Sequence, residues 1–116
     1  MTTSMSGKVP FRSVDVAIPG VAYGEYDVPG HDRPIAPFKA AMFVVEPGSV
    51  TPRDEHAVRE FWFVARGSGT LIYEGGRTPI RAFDSLFFES HRPHSVENTG
   101  TESLAIFSVW WSPSAG

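Results

Sequence analysis

The sequence predicts an all-β fold, a sandwich or barrel of short strands with no substantial helix. Two observations carry this. Ten prolines and eleven glycines interrupt the chain, and no window of helical length escapes both breakers while keeping an i, i+3, i+4 apolar pattern. What remains is a series of short runs rich in β-branched and aromatic residues, each bounded by turn signals.

Taken in order, residues 1–10 read as a flexible tail and residues 11–116 as one domain. Ser13–Ile18 reads as a strand, and Tyr23–Pro37 as a loop punctuated by Pro and Gly. Phe38–Val45 is an apolar strand closed by the turn Glu46-Pro47-Gly48. Glu60–Ala65 is a strand ending at Arg66-Gly67-Ser68-Gly69, with Thr70–Tyr73 expected as its hairpin partner. Glu74-Gly75-Gly76-Arg77 is a second tight turn. Asp84–Glu89, Ser95–Glu97 and Leu104–Trp111 complete the strands.

At 116 residues the chain supports one modest core. The net charge of −3, with eight Arg and two Lys forming no basic stripe, argues against a nucleic-acid backbone as partner. There is no cysteine, so disulfides, thiolate catalysis and cysteine-held metal clusters are excluded, and a reducing cytosol is compatible. The longest apolar stretch, Ala40 to Val45, is far short of the ~20 residues a membrane helix needs. The N-terminus lacks a hydrophobic segment behind Lys8, so it does not read as a secretory signal. A soluble, cytoplasmic domain is the expectation, with no membrane partner.

The chemistry concentrates between Gly48 and Asn98. Asp54, His56 and Glu60 share parity in a strand-like run, and side chains two apart in an extended segment share a face. His94 follows in the segment Pro93-His94-Ser95-Val96-Glu97-Asn98. Imidazole with carboxylate is the ligand set for one divalent transition metal, zinc, iron, manganese or nickel.

The spacing resembles that of the cupin superfamily. A first block, Gly-x5-(His)-x-His-x3-Glu-x6-Gly, matches at Gly48, His56, Glu60 and Gly67, and a second matches at Asp84, His94 and Asn98. The likeness covers residues 38–111 and implies a small single-domain cupin, a double-stranded β-helix or jelly-roll barrel. It implies His56, Glu60 and His94 as metal ligands. Three positions depart from the pattern: Asp54 stands where the family has its first histidine, and Glu89 and His91 replace a proline and a glycine. Asp54 can ligate, hydrogen-bond a ligand or line the pocket.

Alternation extends the pocket. With Glu60 inward, Trp62 and Val64 follow, while Phe61 and Phe63 face outward and suggest a homodimer. On the last strand either Ser108 and Trp110 or Val109 and Trp111 face the cavity. Arg53, Arg59 and Arg92 flank the proposed ligands, and one of them can grip an anionic substrate. Trp62, Trp110, Arg53 and Arg59 are therefore the candidate pocket residues. Glu55, His91 and Asp54 are the candidates for proton transfer. His31 reads as loop surface near the barrel mouth.

The expected function is that of a metal-dependent enzyme acting on a small polar or carboxylate-bearing metabolite. Arg59-Glu60-Phe61-Trp62 and Ser108-Val109-Trp110-Trp111 are also similar to the zinc cupins that act with a tRNA-synthetase-like partner in N–N bond formation. A binding or sensing module with an organising metal, and a metal-free structural cupin, are the other readings.

Overall fold

A computed structural model of the chain describes residues 8–27 and 38–113. Among them are nine strands and no helix: β1 (Phe11–Val14), β2 (Val21–Tyr26), β3 (Lys39–Val45), β4 (Arg59–Arg66), β5 (Ser68–Tyr73), β6 (Gly76–Arg81), β7 (Ser85–Phe88), β8 (His94–Glu97) and β9 (Leu104–Trp111). They form a six-stranded sheet of order β1-β2-β3-β9-β4-β7 and a three-stranded sheet of order β6-β5-β8, all neighbours antiparallel. Phe43, Val45, Trp62, Val64, Phe88, Leu104 and Ile106 from the larger sheet meet Leu71, Ile80 and Val96 from the smaller one, so the core lies between the two layers.

Alternation explains which side chains enter that core. On β4, Glu60, Trp62 and Val64 are buried while Phe61 and Ala65 are exposed and Phe63 is half-buried. On β9, Leu104, Ile106 and Ser108 are buried, which resolves the two options for that strand in favour of Ser108 and Trp110.

Several expectations need correction. β5 is not the hairpin partner of β4. The register shifts between Val64 and Arg66, and Gly67 then adopts a φ of 87°, so the chain crosses to the other sheet and β5 pairs with β6 and β8. A Cβ at Gly67 would lie 2.4 Å from the Ser103 carbonyl oxygen, so only glycine permits this crossing.

The strand expected at Ser13–Ile18 is shorter and starts earlier. Asp15 accepts a hydrogen bond from the Ala17 amide (3.0 Å), and Ala17 has a φ of 54°, so an Asx turn ends β1 at Val14. Part of the loop expected from Tyr23 is strand β2, paired to β3 over its whole length. The rest of that loop, including His31, and most of the N-terminal tail lie outside the described residues. β6 was not foreseen. It follows a two-residue turn, Glu74-Gly75, whose φ values of 52° and 79° are those of a twisted hairpin. Pro79 is tolerated because β6 is an edge strand.

The segment before β4 is a near-strand. Residues 48–54 run beside β8 through Gly48 N–H to Asn98 O, Thr51 N–H to Val96 O and Asp54 N–H to His94 O, each 2.9 Å. Pro52 has no N–H to give to this ladder, and the Val96 N–H is accepted by the Thr51 hydroxyl (3.0 Å). Asn98, 1% exposed, fastens the junction. Its amide donates to the carbonyls of Val45 and Glu102 (2.8 Å each), and its oxygen accepts from the Gly100 N–H (2.8 Å).

Asn98→Ala strands the buried Val45 carbonyl and leaves the part-buried Glu102 carbonyl and Gly100 amide without their partner, and should cost about 3 kcal/mol. Urea unfolding checks this; a loss below about 0.5 kcal/mol would show that Asn98 does not hold the junction.

Candidate metal centre

Glu60 is central to β4 and only 8% exposed. Its two oxygens have different surroundings. Oε2 accepts hydrogen bonds from Ser108 Oγ (2.6 Å) and Trp62 Nε1 (2.7 Å). Ser108 reaches it from the neighbouring strand β9, and Trp62 from two residues along β4. Oε1 turns toward two imidazoles, with His94 Nε2 at 3.1 Å and His56 Nε2 at 3.6 Å.

His94 is fixed just as firmly. Its Nδ1–H donates to the Arg92 carbonyl (3.0 Å), its ring stacks on Phe88 (4.2 Å, 3° between planes), and Trp62 meets it edge-on (5.5 Å). Paired backbone bonds between Asp54 and His94 (2.9 and 3.0 Å) hold the two segments together. The His94 ring is 4% exposed.

With Nδ1 donating, neutral His94 directs a lone pair at Glu60 Oε1, itself an acceptor. Two acceptors at 3.1 Å require a proton or a cation between them. In the protein alone the proton serves. Burial disfavours a charged His94, but the hydrogen bonds it donates to Glu60 and to the Arg92 carbonyl outweigh it, and its pKa is raised above 6.5. Burial likewise opposes ionisation of Glu60, yet the hydrogen bonds from His94, Ser108 and Trp62 hold its pKa below 4.5.

A metal ion is the other solution. One ligand atom each from His56, Glu60 and His94 lies within 4.8 Å of the others, and the three can hold an ion. His56 Nδ1 is buried without a hydrogen-bond partner. Nitrogen and oxygen donors without sulfur suit a divalent first-row metal.

The trio lines a cavity of about 490 Å³. Its walls are mostly apolar, from Val16, Ile18, Val21, Ala41, Phe43, Pro52, Val58, Trp62 and Trp110, with Tyr23, Thr51, Asp54 and Ser108 as further polar members. Tyr23 donates to Glu25 Oε2 (3.1 Å). Burial, that bond and the charges of Glu25, Glu60 and Asp54 raise its pKa well above the usual phenol range, so the phenol stays neutral.

The candidates from sequence therefore divide. His56, Glu60, His94, Asp54, Trp62 and Trp110 converge on one cavity. His56 arrives from an irregular loop, because the ladder stops at Asp54 and β4 begins only at Arg59. Asp54 lines the cavity but is not in the converging group. Glu55 and His91 are exposed and outside the cavity lining. His91 instead has a structural place: with a φ of 61° it stands where the family motif has glycine, and its N–H donates to the His56 carbonyl (2.7 Å). Arg59 is turned to Glu89 (2.6 Å) and Arg92 to Glu74 (2.8 Å), while Arg53 borders a separate depression with Glu74 and Pro93. The Arg59 bond is the first cause holding Glu89 below the usual carboxylate range. Tyr23 and Thr51 were missed, the first because its strand was read as loop.

Two facing antiparallel sheets, with a His/Glu/His cluster that could hold a metal lining the cavity, define a double-stranded β-helix. The pattern of the family described as Cupin domain matches residues 41–110, and the chain belongs to that family. It is 33% identical over 75 residues to an oxalate-binding protein of Thermotoga maritima, a match covering 61% of this chain and 62% of that relative's length. Among solved structures, a Cupin 2 conserved barrel domain protein of Salinispora arenicola superposes with a TM-score of 0.71 at 21% identity, covering 97% of this chain and 87% of the other. A predicted oxalate decarboxylase of Thermotoga maritima gives a TM-score of 0.71 at 22% identity, covering 93% and 96%. No helix among the described residues is long and apolar enough to cross a membrane.

The shifted pair predicts how the chelator-treated protein responds to pH. His94, with its pKa raised, adds stability that is full below 6.5 and lost as pH climbs through its folded value. Glu60, with its pKa lowered, adds stability present above 4.5 and lost as pH falls through its folded value. Thermal melts in chelator should therefore show greatest stability between those two values. A melting temperature still rising from pH 6 to 8 would contradict the pairing.

Proposed function

We propose that the protein is a metal-dependent cupin enzyme in which His56, Glu60 and His94 hold one divalent ion, zinc or iron first among the candidates. The observation that supports it most is the single free oxygen of Glu60 facing two imidazole nitrogens at 3.1 and 3.6 Å, with the other oxygen already engaged. Such an ion, with three protein ligands and open positions, supplies Lewis acidity toward a carbonyl or carboxylate, or activates water or dioxygen.

The chain's own residues do the rest. Ser108 and Trp62 set the orientation of Glu60 before anything binds, so no reorganisation is needed there. The apolar walls exclude water and seat a small molecule whose polar end reaches the trio. Asp54 is the carboxylate of the cavity outside the trio and is the proposed site of proton transfer.

A second reading is a binding module without turnover. It is supported by the relative described as oxalate-binding, and by the absence of Glu55 and His91 from the cavity lining.

Elemental analysis of the purified protein should give close to one zinc or iron per chain. His94→Ala should lose most of it, and Ser108→Ala should weaken metal affinity about tenfold. Metal-free protein whose melting temperature ignores chelator would remove both readings. Oxygen uptake or substrate turnover by the loaded protein separates enzyme from binder.

We also propose a homodimer through the outer face of the larger sheet. Phe61 and Phe87 are register partners there, 37% and 49% exposed. Light scattering should give a dimeric mass that becomes monomeric in Phe61→Arg; a monomeric wild type would dismiss the dimer.

A further inference from the structure

The cavity carries a charge pattern that says what kind of molecule it takes. Asp54 lines it in addition to Glu60; the residue is exposed, and its backbone is held to His94 by two hydrogen bonds, which keeps the residue beside the trio. It is not among the converging ligand atoms, so its charge remains available. Most of the cavity's other lining is apolar, with Val16, Ile18, Val58, Phe43 and Trp110 among it.

No lysine or arginine among the described residues lines this cavity. Of the nearby guanidinium groups, Arg12 is bonded to Glu25 (3.0 Å), Arg59 to Glu89 (2.6 Å) and Arg92 to Glu74 (2.8 Å), while Arg53 borders a separate depression. Of the chain's ten cations, Arg33 alone lies outside the described residues. An anionic ligand would therefore meet one attracting pole, the ion, and one repelling pole, Asp54. A dicarboxylate would meet the same repulsion twice and leave the apolar walls uncovered.

From this arrangement we infer that the cavity takes a small molecule with an apolar body and a protonated amine that pairs with Asp54. The inference rests on the proposed metal site for the opposite pole, where a carbonyl or carboxylate of the same molecule would bind. An ammonium beside Asp54 forms an ion pair with the carboxylate, and the walls gain cover from the apolar body.

Calorimetry on the full chain, loaded with zinc, tests this with probes that lack one or more of these groups. L-Phenylalanine carries amine, carboxylate and aromatic body; 3-phenylpropionate lacks the amine; oxalate lacks amine and body. L-Phenylalanine should bind at least about tenfold more tightly than either, an effect between those of exposed and desolvated ion pairs. Asp54→Asn should bring the ratio of L-phenylalanine to 3-phenylpropionate close to one while zinc per chain stays unchanged. Tighter binding of oxalate or 3-phenylpropionate, no saturable binding of L-phenylalanine, or loss of zinc in Asp54→Asn would each overturn the inference. Should the wild type take up no metal, the metal site fails by itself. The amine preference is then read on the metal-free protein, with phenethylamine expected to bind more tightly than phenylacetate and the reverse order overturning it.

Discussion

Everything distinctive about this site depends on how the carboxylate of Glu60 is shared. One oxygen is consumed by Ser108 and Trp62 at 2.6 and 2.7 Å, and the other is left to face His94 and His56. A carboxylate without those donors could rotate and satisfy itself on the nearest imidazole. Held this way it has one free oxygen in one direction, and both imidazoles are built around it. The arrangement joins three strands and a loop: Glu60 and Trp62 on β4, Ser108 on β9, His94 on β8, and His56 between. The site thus forms only when the two sheets are packed.

The surrounding scaffold serves that packing. Phe88 and Trp62 hold the His94 ring on two sides, and the Arg92 carbonyl fixes its tautomer. Asn98 and Gly67 govern where the chain leaves one layer for the other. Both belong to the family spacing, and here each has a physical reason: a buried three-bond junction and a backbone that admits no Cβ.

Much of this was readable from residue spacing. The alternation on β4 put Glu60, Trp62 and Val64 on one face, and they are buried together. Ligand chemistry and family spacing brought out His56 and His94, although the parity argument for His56 does not hold, since it sits on a loop. What sequence could not resolve were features set by side-chain competition. Asx bonding at Asp15 ended a strand whose apolar alternation ran on to Ile18. The Gly75-Gly76 pair and Pro79 hid β6 behind what read as a turn. Arg59 looked free to grip an anion, but Glu89, standing in the place of a family proline, takes it at 2.6 Å. Ser108, left open against Val109, proved to be one of the two residues that orient Glu60.

The most direct measurement of this account is a crystal structure of the metal-loaded protein with anomalous data at the metal's absorption edge. The account predicts one ion, bonded at about 2.0–2.2 Å to His56 Nε2, His94 Nε2 and Glu60 Oε1, with Ser108 and Trp62 still on Glu60 Oε2. An ion bound through Glu60 Oε2, or an intact His94–Glu60 contact with the ion elsewhere, would contradict it.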